Sequence, residues 1–339
     1  MTSSLRTATR LAAFGTLLLT LTPSRAHATA FLFTSGGAGL FGITAGGGGS
    51  NAITLALNGT VTAPSNTGVA IGLAAGDKLT MTGGTVTGQV DFADPAGTST
   101  LGTCSADAGN ICMVNTGSSV AAGSTISGLT WQSTSAVNAA VAEWNGLTTG
   151  WSGGAATNVS LAVTGSICTG TFTGCTLATV AAPTTRTVNG VVQTAYVFNI
   201  TSTTVGGTIT IKGDPSALII LQYSNGTKLT TAAGSKITLV GGISADQVFL
   251  DDSGTGGIDT SAGFNYTGAM AISPSINTAT TNLNSMVMNG RLFLTNTSPT
   301  TVNLGSSFNL TSPTPEPSTL FLIGGALIGI AVLSKKVQR

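Results

Sequence analysis

The chain has 339 residues, 12 Lys+Arg against 11 Asp+Glu, 47 glycines, only 7% charged residues and a mean hydropathy of +0.40. A net charge of +1 supplies no basic face for phosphates, which excludes a nucleic-acid binder. The scarcity of Glu and Lys excludes a coiled coil, and 42% hydrophobic residues exclude a disordered polar linker.

The first 28 residues read as a secretory signal peptide. Arg6 and Arg10 supply the positive region, Leu11–Leu21 the apolar region, and Pro23 ends it. Ala26 and Ala28 place small residues at the cleavage positions, so cleavage is expected after Ala28. His27, the chain's only histidine, leaves with the signal. The mature chain then has no imidazole for a Ser-His-Asp triad, a Cys-His dyad or a histidine metal site.

Residues 29–67 are expected to form an N-terminal β or capping segment. Gly46–Gly49 is read as a loop, because no Lys-Ser/Thr follows to make a phosphate cradle. Alternating apolar and Thr residues predict strands at 52–57, 78–82, 208–212 and 236–240, with one apolar face each. Gly83-Gly84, Gly206-Gly207, Asn225-Gly226, Gly241-Gly242 and Asn289-Gly290 are expected turns.

One helix is expected within 133–146. Val137, Ala140, Val141 and Trp144 form an apolar stripe, the preceding serines an N-cap and Gly146 a C-cap. Trp144 is expected to seal core, and Glu143 to be solvated on the polar side.

Four cysteines allow three pairings. Their closeness in sequence and an oxidising compartment predict Cys104–Cys112 and Cys168–Cys175 as disulfides. Neither spacing is that of a zinc ribbon or redox motif. Asp246, Asp251, Asp252 and Asp259 form the densest acidic cluster. It lacks EF-hand spacing, so a solvated turn is expected rather than a Ca²⁺ loop. Glu143 with Asp251 or Asp252 would be the candidate carboxylate pairing for glycoside hydrolysis, though nothing in the sequence fixes their distance. Seven Asn-x-Ser/Thr sequons follow from the composition. No catalytic residue, cofactor or metal is assigned.

The C-terminus is distinctive. Pro315-Glu316-Pro317 precedes an uncharged apolar run, Leu320–Leu333, closed by Lys335, Lys336 and Arg339. Residues 318–334 reach the lower limit for a membrane-spanning helix, about 17 residues. The basic end is expected to stop transfer. Gly325 and Gly329 fall at GxxxG spacing, read as small residues rather than a helix-packing motif. This order of Pro-Glu-Pro, apolar segment and basic tail resembles the PEP-CTERM sorting signal. The resemblance implies export, transient anchoring in the inner membrane, and recognition by a transpeptidase-like exosortase, for which Pro315, Glu316 and Pro317 are recognition residues of a substrate. Loss of both ends leaves 6 basic and 11 acidic residues, a net charge of −5.

The body, from about residue 68 to 310, resembles the ice-binding-like family. The stretches that carry the likeness are the helix at 135–145, Gly213-Asp214-Pro215-Ser216-Ala217 with the apolar run after it, and Lys228–Ser235. The resemblance implies a mainly β fold, a β-solenoid with one long helix. The sequence departs from the family at Leu250-Asp251-Asp252 and at Gly290-Arg291-Leu292, and no ice-contacting residue is carried over. A β-sandwich is the alternative.

The expected organisation is a signal peptide (1–28), the capping segment (29–67), the solenoid ectodomain (68–310), a linker with the Pro-Glu-Pro motif (311–317) and a sorting helix with basic tail (318–339). The expected function is a non-enzymatic surface or extracellular-matrix protein, adhesive or exopolysaccharide-associated. The alternatives are an ice- or crystal-surface binder and a polysaccharide-active β-helix enzyme.

Overall fold

The computed structural model describes residues 32–33, 38–47, 51–63, 68–93, 118–128, 130–149, 156–170, 172–180, 182–188, 190–224, 226–252, 257–260, 262–273, 280–296 and 299–312. The expected signal peptide (1–28), the expected Cys104–Cys112 disulfide, Asn225, Pro315-Glu316-Pro317 and the C-terminal apolar run lie outside them.

Strands that alternate Ile, Leu or Val with Thr bury one side and expose the other, so they stack well as coils around a narrow apolar core. The chain does this on three faces. In one coil it passes through Ile53–Leu57, Thr60–Thr62 and Val69–Leu73 in turn. The next coil repeats the path through Lys78–Met81, Thr85–Thr87 and Gln89–Phe92. Equivalent strands of successive coils pair in parallel and in register, Thr54 opposite Lys78, Thr62 opposite Thr87, Ile71 opposite Val90. These parallel ladders define a β-solenoid and replace the sandwich alternative. The antiparallel pairing among the described residues is the hairpin of Thr184–Val188 with Val191–Ile200, at one end.

Ile53, Leu55, Leu57, Leu79, Met81, Ile209, Ile211 and Ile237 point into the core, as the alternation predicts. Two long strands, Phe264–Ile272 and Met286–Leu294, run unbroken around a corner between faces. The corner is made by Gly268, at φ +146°, and Gly290, where a Cβ would lie 1.8 Å from the Gly268 carbonyl oxygen. Asn289-Gly290 is therefore a corner within a strand and not the expected turn.

The coils do not follow chain order throughout. Thr300–Leu304 and Asn309–Thr311 supply two faces of one central coil, and Phe41–Ala45 supplies the third. Phe41–Ala45 pairs with both Met286–Leu294 and Val69–Leu73. The strands Phe41–Ala45, Ile53–Leu57 and Thr60–Thr62 thus lie inside the ladders, each hydrogen-bonded on both edges, and do not cap an end as expected.

The third face is covered by helix α1, Thr134–Thr149. Val137, Ala140, Trp144 and Leu147 are buried. They pack on Phe41, Leu218, Ile220, Phe249, Ala269, Ala271 and Phe293, which project from the opposite side of strands whose inner residues fill the core. That face is mostly apolar on both sides, as expected for parallel strands under a helix. Val137 N–H donates to the Ser133 carbonyl (3.1 Å), so Ser133 opens the helix. Gly146 is not its C-cap: the helix continues to Thr149 and buries Leu147 at 3% exposure. The strand before α1, Thr130–Gln132, sits at one end of a nine-strand ladder. The next strand, Thr157–Val159, pairs with Val191–Ile200 at the other. Sixteen residues of helix span about 24 Å of a ladder about 38 Å long. Helix α1 carries the chain between the solenoid's two ends.

Candidate functional site

Two faces are left uncovered by the helix, and both present small polar side chains in rows. The threonine face carries Thr267, Asn289, Thr311, Thr62 and Thr87 opposite one another on five consecutive strands. Thr210 and Thr238 extend the same side of the face. A second row runs through Asn309, Thr60, Thr85 and Thr125. Such rows repeat at about 4.8 Å between strands and about 6.7 Å along them. β-Branched threonine holds few rotamers, so the hydroxyl positions are restricted before any ligand arrives. Val287, 48% exposed, and Lys236 interrupt the rows.

The asparagine face differs. Asn282, Asn303, Ala56, Thr80 and Ser119 share one row. Asn303 Nδ2 donates to Asn282 Oδ1 at 2.9 Å, and the hydroxyls of Thr204 and Thr230 lie 3.1 Å apart. Asp259 lies 3.8 Å from Lys228, both partly exposed.

The acidic cluster expected from sequence does not assemble. Asp246 lies in a 3-10 turn, Ala245–Gln247, and pairs with Arg291. Asp259 sits on the asparagine face. Asp251 and Asp252 lie in the strand Val248–Asp252, on the helix-covered face, each 1% exposed. They are not the expected solvated turn, because the strand runs in the interior of its ladder. None of their four carboxyl oxygens has a hydrogen-bond partner among the described residues. Burial pushes Asp251 up to about 7. Burial, and then the Asp251 charge, push Asp252 up to about 8. Burial likewise raises Asp91, with the Gln89 amide at 2.6 Å opposing it.

Glu143 is not simply solvated. Its carboxylate accepts the backbone N–H of Ala38. It thus holds a segment that packs Leu32, Phe33 and Ala38 against α1. The Phe33 and Trp144 rings are 4.5 Å apart. Arg291, 2% exposed, is the node of this region. Its guanidinium pairs with Asp246, donates to the Gly39 carbonyl at 2.9 and 3.2 Å, and lies 5.4 Å from the Phe33 ring centroid. Burial lowers its pKa, against the opposing pull of Asp246 and Glu143. Sequence reasoning missed this node. Its signal is a lone Arg in the otherwise apolar run Leu292-Phe293-Leu294.

Glu143, Asp251 and Asp252 therefore do not converge on an open cleft that could hold a sugar. Among the described residues no group of three metal-ligating side chains forms. Cys168 and Cys175 form a disulfide, as expected, with Cα atoms 5.8 Å apart, closing the loop between Gly165–Thr169 and Ala178–Val180. Of the sequon residues, Asn58, Asn158, Asn265 and Asn309 are exposed, Asn199 is half-buried and Asn296 is buried. Among the described residues no helix is long and apolar enough to cross a membrane.

The class defined by this geometry is a helix-backed β-solenoid with two ordered polar faces. Residues 313–336 match the PEP-CTERM protein-sorting motif, which takes in Pro315, Glu316, Pro317, Lys335 and Lys336 and stops short of Arg339. No curated protein matches the chain in sequence. Among solved structures, an ice-binding protein 1 domain of Shewanella frigidimarina is similar at 14% identity and a TM-score of 0.40, over 82% of this chain and 96% of that one. An ice-binding protein from the Antarctic ascomycete Antarctomyces psychrotrophicus is similar at 15% identity and a TM-score of 0.39, over 85% and 99%. The solenoid itself is defined by its own strand registers.

Proposed function

We propose that this chain is a non-enzymatic cell-surface or extracellular-matrix protein. It is exported through its signal peptide, anchored in the inner membrane by residues 318–339, and then sorted by an exosortase-like enzyme. The observation that carries this reading is the sorting motif at residues 313–336. The partner it meets outside is exopolysaccharide. Rows of hydroxyls and amides with few charges both donate and accept hydrogen bonds, which suits a neutral, hydroxyl-rich polymer. The test is fractionation of cells expressing the full chain or a Pro315→Ala, Glu316→Gln, Pro317→Ala variant. The parent chain is expected at the surface or in the matrix, and the variant in the inner membrane. Identical fractionation of the two refutes sorting by this motif.

A second reading is binding to ice or another crystalline surface. It is favoured by one observation, the five-strand run from Thr267 to Thr87 on the threonine face. Thermal hysteresis and ice-recrystallisation assays on the exported chain test it. Inactivity at high protein concentration removes it, and activity abolished by Thr62→Tyr supports it.

A further inference from the structure

One end of the threonine face is closed by a return far shorter than a coil. Elsewhere a strand meets its in-register neighbour after a full turn of the solenoid, Thr54 meeting Lys78 and Ile219 meeting Val248. Cys168 already meets Thr179. The two parallel strands, Gly165–Thr169 and Ala178–Val180, are joined by residues 170–177 alone. Parallel strands ordinarily need a connection of about a dozen residues or more, so this return depends on what fastens it.

The fastenings are a cross-link and a set of hydrogen bonds. The Cys168–Cys175 disulfide pins the start of the return, with Cα atoms 5.8 Å apart. Ser166 N–H donates to the Thr176 hydroxyl at 3.0 Å, and Thr176 N–H to the Ser166 hydroxyl at 3.3 Å. Leu177 N–H donates to the Ser166 carbonyl at 3.0 Å, and Gly170 N–H to the Val180 carbonyl at 2.8 Å. Held this way, the return lays Leu177 and Val180 against the apolar core. Ala178–Val180 becomes the outermost described strand of this ladder and covers one edge of Gly165–Thr169. A three-residue edge invites less pairing from other chains than the five-residue edge beneath it.

The two sulfurs differ in access: Cys168 is fully buried and Cys175 is partly exposed. Closure is a thiol–disulfide exchange. The Cys175 thiolate attacks a disulfide-bearing oxidant, and the Cys168 thiolate then displaces that oxidant from the mixed disulfide. The protein loses two protons and two electrons, and the oxidant leaves as a dithiol. A thiol reductant reverses the exchange by attacking Sγ of Cys175.

We infer that Cys168–Cys175 is a redox-operated latch on this end of the solenoid. Oxidised, it holds residues 170–180 over the core. Reduced, it lets them lift away and bares the edge of Gly165–Thr169. That export brings the chain to the oxidant rests on the reading of this protein as exported. In the chain-entropy picture, a cross-link closing so small a loop changes its opening equilibrium by about 50- to 100-fold.

The test is amide hydrogen exchange on the folded, oxidised chain and on a Cys168→Ser, Cys175→Ser variant. The amides of Gly170 and Leu177 report the latch. Those of Asn58 and Ala74, bonded to the Leu304 and Ala45 carbonyls, report the body. Exchange about 50- to 100-fold faster at 170 and 177, with 58 and 74 unchanged, is expected. Unchanged rates at 170 and 177 overturn the latch. Equal acceleration at all four positions overturns it too, because the cross-link then holds the whole body and not its end. A second measurement needs no variant. Dithiothreitol added to the folded chain is expected to speed exchange at 170 and 177, and reoxidation to restore it. Unchanged exchange there once both thiols are free overturns the latch. A chain recovered only from the cytosol, with both thiols open to alkylation, overturns export and leaves the exchange result standing.

Discussion

Trp144 of helix α1 lies flat on Phe293 of the solenoid, with ring centroids 5.2 Å apart and planes 6° apart. Phe33 and Phe249 close on the same indole at 4.5 and 6.1 Å. One fully buried ring thus joins the helix, the N-terminal segment and two strands. Trp144→Ala opens a cavity at that junction and is expected to cost about 3–5 kcal/mol of stability. Denaturant unfolding of the oxidised ectodomain checks it, and a loss below about 1 kcal/mol contradicts the helix docking.

Arg291 stitches the same junction through charge. Removing it takes away the ion pair with Asp246 and the two hydrogen bonds to the Gly39 carbonyl. Asp246 is 30% exposed and water can take over its charge, so the loss is that of charge-assisted hydrogen bonds and of the packed guanidinium stem, about 1.5–3 kcal/mol. Arg291→Met is expected to show a loss of that order, with faster proteolysis of residues 32–40. Asp246→Asn takes the paired carboxylate from a buried guanidinium and is expected to cost at least as much. Equal stability of Arg291→Met and the parent chain contradicts the anchoring role.

Asp251 and Asp252 set a pH dependence. Their carboxyl groups start near 3.8 in the unfolded chain and rise to about 7 and about 8 in the fold. A raised acid means the folded state binds more protons than the unfolded one, so stability falls as pH rises between those values. The ectodomain is therefore expected to be most stable near pH 4, to lose stability up to about pH 8, and to level off above it. Asp91, raised by burial, acts in the same direction. An Asp251→Asn, Asp252→Asn double variant is expected to melt higher than the parent at pH 8 and to flatten the profile. A parent chain whose melting temperature rises from pH 4 to pH 8 contradicts this placement of the two acids.

Gly290 is irreplaceable for a steric reason. The Cβ that alanine would add lies on top of the Gly268 carbonyl, so the two corner strands would have to separate. Gly290→Ala is expected to abolish accumulation of the folded ectodomain. Gly146→Ala, with nothing within 4 Å of the added methyl and a helical backbone, is expected to stabilise by about 0.5–1 kcal/mol. Comparable melting of both variants contradicts the corner geometry.

What was legible in the sequence was what is periodic. The alternation in Ile53–Leu57 or Thr208–Lys212 states which side is core, because a strand's two sides differ at every second residue. The stripe from Val137 to Trp144 states the helix in the same way. Long-range closure was not legible. Nothing local in Phe41–Ala45 says that it completes a coil begun by Thr300–Leu304, some 250 residues later. Gly290 reads as a turn because Asn-Gly usually is one, and only its contact with Gly268 makes it a corner. Asp251 and Asp252 read as solvated because charge usually is. The strand that holds them is covered by a helix more than a hundred residues earlier in the chain. The two ordered faces were visible as Thr-x-Thr phrases, but their alignment across strands needs the registers.

Under the proposed export and sorting, the chain loses both its ends on the way to the surface. Mass spectrometry of the protein recovered from the cell surface or matrix tests this most directly. The predicted result is a polypeptide that begins at Thr29, retains the Cys168–Cys175 disulfide, and ends before the apolar run 320–333. An intact chain from Met1 to Arg339, recovered from the cytosol, would contradict it.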